Sequence, residues 1–110
     1  MGAPRPYQRV KQEYPELVAA YEELGRQCHE AGPLEEKSRE LVKLGIAIGA
    51  RLEGAVHAHT RLALEKGATP EELLHVAFLA TTTVGFSTMM TARSWVEETL
   101  EKAAVKAAAR

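Results

Sequence analysis

Arg51-Leu-Glu-Gly-Ala-Val-His-Ala-His-Thr-Arg-Leu-Ala-Leu-Glu-Lys-Gly67 is the stretch on which the reading of this chain turns. Its spacing predicts a helix from about Glu53 to Lys66, with Gly67 as the C-terminal stop. Two of the chain's four histidines, His57 and His59, fall inside it. At about 100° per residue, Leu52, Ala55 and His59 share one face, while Glu53 and His57 share another. His57 and His59 therefore point to nearly opposite sides, and His-x-His is a poor chelate while the segment stays helical.

The composition extends the helical reading to the whole chain. Of 110 residues, fifteen are Glu, and there is no Asp and no Asn. Asp and Asn favour turns and caps through local backbone hydrogen bonds, whereas Ala and Glu favour helix. An all-α fold of about five helices is expected. The same inventory excludes an EF-hand loop and a Ser-His-Asp triad, so a glutamate would have to orient any catalytic histidine.

Immediately before the central stretch, Leu41-Val-Lys-Leu-Gly-Ile-Ala-Ile-Gly-Ala50 is apolar nearly all round. A helix from about Leu34 to Arg51 with such a second half must be buried on most sides. One short chain has few helices to surround it, which predicts an obligate homo-oligomer. Gly45 and Gly49, four apart, would let another backbone approach.

Further toward the N-terminus, Leu17, Val18, Tyr21, Leu24 and Cys28 give amphipathic spacing for a helix starting at Pro15 and ending near Gly32-Pro33. On that spacing Cys28 is a small core residue. Residues 1–12 read as a flexible polar arm, and residues 13–110 as a single helical domain. On the other side, Thr69-Pro70-Glu71-Glu72 is a strong start signal, with Thr69 and Glu72 as a capping box. It opens a helix from Pro70 to about Val84, broken by Gly85. A last helix runs from about Ser87 past Lys102, with an Ala-rich tail expected to fray. Met89, Met90 and Trp95 read as core and interface. The Glu-Glu pairs, including Glu97-Glu98, read as solvated faces or first turns.

The charge and targeting signals are bland. Net charge is −1 with scattered basic residues, which gives no footprint for nucleic acid. One cysteine, no apolar leader and no run near membrane-spanning length lead us to expect a cytoplasmic protein with no membrane partner. A metal set of Glu53, His57 and one of His29 or His75 would need tertiary convergence, and no metal centre is expected. His59 has two readings, a core histidine satisfied by one hydrogen bond or a general acid–base group beside a carboxylate. Glu40, in the charged half of the preceding helix, is the available carboxylate.

The run from Glu40 to Glu72 resembles the carboxymuconolactone decarboxylase family, which also includes alkylhydroperoxidase D. The resemblance covers about Leu34 to Trp95, and its most specific part is His-Thr-Arg-x-Ala-Leu-x-x-Gly-Ala-Thr-Pro-Glu-Glu from His59 to Glu72. It implies an all-helical protein assembling as a homotrimer or homohexamer. In the peroxidase branch, a Glu, a Cys-x-x-Cys pair and a His carry the chemistry. The Glu falls here on Glu40 and the His on His59. The cysteine positions fall on Leu52 and Ala55, and a further relay histidine falls on Gly54. Leucine and alanine form no thiolate, so the family's thiol peroxidase mechanism is not expected. The decarboxylase branch acts on a small lactone acid with acid–base side chains and without metal or organic cofactor. The resemblance thus implies His59 and Glu40 as the catalytic pair acting on a small-molecule substrate, and the alternative left by the loss of both cysteines is a non-catalytic helical binding or assembly module. Arg51 or Arg61 would hold a substrate carboxylate, and Glu53 and His57 are second-tier candidates.

Overall fold

A computed structural model describes residues 4–109, and they contain six α-helices, one short 3-10 turn and no strand. The chain divides into two compact units, Met1–Leu34 and Glu35–Arg110.

The first unit is a helical hairpin of α1 (Arg5–Glu13) and α2 (Pro15–Glu30). Helix α1 occupies most of the segment expected to be a flexible arm. Residues 1–3 of that arm lie outside the described residues. Prolines at the start of both helices have the fixed φ that suits a first turn and no N–H to leave unpaired. The Tyr7 hydroxyl donates to the Glu22 carboxylate and ties α1 to α2. That bond pushes the Tyr7 phenol up from its ordinary range and pulls Glu22 down. The amphipathic stripe of α2 is not buried as its spacing suggests. Val18 is buried, but Leu17, Tyr21 and Leu24 are more than 60% exposed. Cys28, expected in the core, is exposed as well. Two helices share a single line of contact, so a two-helix unit cannot cover a whole stripe.

The second unit holds α3 (Glu36–Gly49), α4 (Glu53–Glu65), α5 (Pro70–Leu79) and α6 (Phe86–Ala108). Helices α3 and α6 both pack on α4, and α6 also packs on α5. Leu44, Ile48, Val56, Leu73 and Val96 are the large apolar side chains sealed in its core, each worth about 1.5–3 kcal/mol of burial. Trp95 and Leu100 pack on its edge.

Local chemistry explains the boundaries. Glu35 caps α3, its carboxylate accepting from Ser38 N at 2.9 Å. The capping box of α5 forms as expected, with Glu72 N donating to Thr69 Oγ1 at 3.1 Å and Thr69 N to Glu72 Oε1 at 2.9 Å. Both anchoring carboxylates, Glu35 and Glu72, sit below the usual range because hydrogen bonds favour their charged form. Salt bridges Lys37–Glu72 and Lys66–Glu36, each 3.1 Å, join the start of α3 to α5 and to the end of α4. Helix α5 ends at Leu79, short of the expected Val84. The chain tightens into a 3-10 turn at Ala80–Thr82, and Thr83 Oγ1 donates back to Leu79 O at 3.1 Å. Gly85, at φ 111, then opens α6. Helix α6 continues through the tail expected to fray, as far as Ala108, where Ala-rich sequence has high helix propensity.

The exits of α3 and α4 form one motif twice. Gly67 N donates to Leu64 O at 3.1 Å and Ala68 N to Ala63 O at 2.9 Å; Arg51 N donates to Ile48 O and Leu52 N to Ala47 O, both at 3.0 Å. Each is a Schellman ending with its C′ residue at positive φ. At α4 that residue is Gly67 (φ 96), and at α3 it is Arg51 (φ 57).

Helix α3 is buried on one side only. Glu40, Leu44, Ala47 and Ile48 face inward, while Val42 and Ile46 are 50% and 65% exposed. Gly45 and Gly49 do not mark a close backbone approach within the described chain. A Cβ at Gly45 would meet Val76 at an ordinary 3.8 Å, and one at Gly49 would meet nothing within 4 Å.

Candidate active site

The buried stripe of α3 begins with a carboxylate. Glu40 lies one turn before Leu44 on the same inward face and is 6% exposed. Its partner comes from α4, where His59 Nδ1 lies 2.9 Å from Glu40 Oε1. An ionised carboxylate only accepts, so Nδ1–H is the donor and Glu40 selects that tautomer. Nε2 is then the ring nitrogen left for other work. The imidazole side chain is 19% exposed against 7% for the carboxylate, so the histidine is the solvent-reaching member of the pair. Such an arrangement can take a proton from a bound molecule and give it back, while the buried carboxylate steadies the imidazolium.

Next to His59, Thr60 is fully buried. Its hydroxyl has no hydrogen-bond partner among the described residues.

The other expected residues are placed differently. Arg51 stands in the exposed turn before α4, and Arg61 is half-buried on α4. Among the described residues neither pairs with Glu40 or His59. Glu53 and His57 face α6 instead. His57 Nδ1 lies 2.6 Å from Thr99 Oγ1, and His57 Nε2 lies 3.2 Å from Glu53 Oε2. The carboxylate of Glu98 converges on the same place, so that one ligand atom from each of Glu53, His57 and Glu98 lies within 4.8 Å of the others. The third member of this group is therefore Glu98, and neither His29 nor His75 joins it. Nothing local in the sequence marks Glu98 or Thr99, since Thr99 is 42 positions from His57 and a Glu-Glu pair on a helix is usually a solvated face.

Where the peroxidase branch has its thiols, Leu52 is the exposed residue preceding α4 and Ala55 is half-buried in its first turn. Arg93 sits over the Phe78 ring at 5.2 Å and within 3.4 Å of Glu97, a tie between α5 and α6.

The fold is thus an all-helical domain in which one helix buries a glutamate against a histidine of the next. The chain belongs to the carboxymuconolactone decarboxylase family, whose model matches residues 15–98. A carboxymuconolactone decarboxylase family protein from Legionella pneumophila, solved in its apo form, superposes with a TM-score of 0.73. It is 24% identical, over 86% of this chain and 84% of that one, a likeness of fold. An uncharacterized protein of Haemophilus influenzae is 38% identical over 47 residues, which is 43% of this chain and 42% of that protein. The match thus spans less than half the length of that relative.

Proposed function

We propose that this protein carries out acid–base chemistry on a small lactone or carbonyl acid, with His59 as the acid–base group and Glu40 orienting it. The observation that carries the reading is the 2.9 Å contact between His59 Nδ1 and a carboxylate that is almost fully buried. With Nδ1–H committed to Glu40, Nε2 takes a proton from carbon next to a carbonyl, or returns one to the enolate left when carbon dioxide departs. Side chains alone supply this chemistry. Arg51 and Arg61 are the candidates for gripping a substrate carboxylate. Hydroperoxide reduction is disfavoured because Leu52 and Ala55 stand at the thiol positions of that branch.

The test is a screen of small lactone acids, beginning with carboxymuconolactone itself, followed by loss of the lactone and release of carbon dioxide. Glu40→Gln should slow turnover and His59→Gln should abolish it. Turnover with an unchanged pH profile in His59→Gln would remove the reading.

The exposed apolar surface favours a working unit that is a homotrimer or homohexamer in the cytoplasm, with a small molecule rather than nucleic acid or membrane as partner. Ile46 on α3, Leu79 at the end of α5 and Phe86 on α6 are 59–65% exposed, and Val42, Val76, Leu79 and Val84 line one open apolar groove, the kind of surface that a partner copy covers. No described helix is long and apolar enough to cross a membrane. Light scattering on the parent and on Ile46→Glu tests the assembly. A monomeric parent would defeat it, and dissociation by the substitution would support it. If Ile46→Glu remains a trimer or hexamer, the interface lies elsewhere on the chain.

A further inference from the structure

The Glu53–His57–Glu98 group is not used by the proposed reaction, and it lies on a different side of α4 from His59. Three features give it a chemistry of its own.

The first is bite. An ion held at about 2.1 Å from two ligands with a tetrahedral angle needs them roughly 3.4 Å apart. Glu53 Oε2 and His57 Nε2, one helical turn apart, are separated by 3.2 Å. The Glu98 carboxylate closes the triangle from α6, and the three ligand atoms span at most 4.8 Å. A small rotation of an exposed glutamate brings the longest edge into range.

The second is the orientation of the ring. Thr99 is 5% exposed, and its hydroxyl lies 2.6 Å from His57 Nδ1. Metal-binding histidines hold their second ring nitrogen by such a bond, which fixes the ring and aims the other nitrogen outward. A hydroxyl both donates and accepts, so it serves either tautomer. It donates to a bare Nδ1 when Nε2–H faces Glu53, and it accepts from Nδ1–H when Nε2 turns its lone pair to a cation.

The third is charge and access. Two carboxylates meet one imidazole, while Lys102, 3.3 Å from Glu98, is a cation beside the group. Glu53 and Glu98 are exposed and His57 is half-buried, so an ion reaches the site without disturbing the core.

We propose that Glu53, His57 and Glu98 form a binding site for a divalent first-row transition ion of the zinc type, with Thr99 positioning the imidazole. Mixed imidazole–carboxylate donors suit zinc and its neighbours better than magnesium, which asks for six oxygens. Three protein ligands leave at least one position for water.

The experiment is calorimetric titration of the full chain, stripped with chelator, with Zn²⁺ alone. One ion per chain is expected. Glu98→Gln and His57→Asn should each weaken binding at least tenfold, and Thr99→Val by about tenfold through the freed ring. Lys102→Met should tighten it, because the competing cation is gone. Glu98 is exposed, so its substitution cannot be confused with failure to fold. Nitrogen NMR of the His57 ring gives a second readout, since Zn²⁺ should move the proton to Nδ1. Binding unchanged by Glu98→Gln but lost in His75→Gln would overturn the site, as would no binding below about millimolar Zn²⁺.

Discussion

Glu40 and His59 are nineteen positions apart in the chain, on different helices, and meet at 2.9 Å. The contact ties α3 to α4 and gives the buried carboxylate the imidazole as its partner. Truncating that partner strands the carboxylate, and leaving a buried polar group unsatisfied costs about 1–3 kcal/mol. His59→Ala should therefore lower stability by that order, measured by denaturant unfolding at fixed protein concentration because an assembly's midpoint moves with concentration. The cycle of His59→Ala with Glu40→Gln should be strongly non-additive, since contacting residues couple by about 0.5–3 kcal/mol. Additive losses would mean that the contact carries no energy of its own.

Arg51 occupies the position that Gly67 occupies in the matching turn. A side chain in the left-handed region costs about 1–2 kcal/mol. Arg51→Gly should raise the melting temperature by several degrees. If Arg51 also grips the substrate, the same variant should lose activity while gaining stability. A gain in stability with full activity would remove Arg51 from the site, and a fall in stability would show that its side chain holds the turn in another way.

Thr60 buries a hydroxyl with no partner among the described residues. Thr60→Val keeps the shape and removes the unsatisfied group, which should stabilise by about 1 kcal/mol. Destabilisation by the same amount would reveal that the hydroxyl is satisfied by water.

The caps at Glu35 and Glu72 make the fold acid-sensitive. Both carboxylates titrate lower in the folded chain than the ordinary value of about 4.3, held down by hydrogen bonds to Ser38 and Thr69 respectively. A depressed folded value means stability that is present above the unfolded value and is lost as pH falls through the folded one. Melting midpoints should thus decline below about pH 4.3, and Glu35→Gln with Glu72→Gln should flatten that decline. An unaltered acid limb in the double variant would assign acid unfolding to other groups.

Much of the fold was legible because helix signals are local. The capping box at Thr69 and Glu72 and the stop at Gly67 each depend on residues within one turn, and both form as read. Departures had two sources, contacts of longer reach and local competition for backbone groups. Residues 1–12 are mostly polar with two prolines and read as an arm, yet Tyr7 and Val10 fall one turn apart, the proline at the start suits a first turn and pairing with α2 completes the helix. Cys28 was read as core from spacing alone, but spacing tells which residues share a face and not whether anything covers that face. Helix α5 stopped at Leu79, whose carbonyl accepts from the Thr83 hydroxyl.

The catalytic candidates show the same division. Glu40 and His59 were singled out because a family resemblance aligned them, and no periodicity could have shown that they touch. Glu98 and Thr99 were passed over because their partners lie on α4, some forty positions away along the chain. By itself, then, the sequence determined the all-helical class, five of the six described helices and the family, because backbone propensity, capping and an uninterrupted motif act over a few residues or are carried in the order of the chain. The tertiary structure decided which side chains meet, because helix packing is settled by the burial of the whole apolar set of α3, α4, α5 and α6 at once. That packing set Glu40 against His59 and gathered Glu53, His57 and Glu98 at one point.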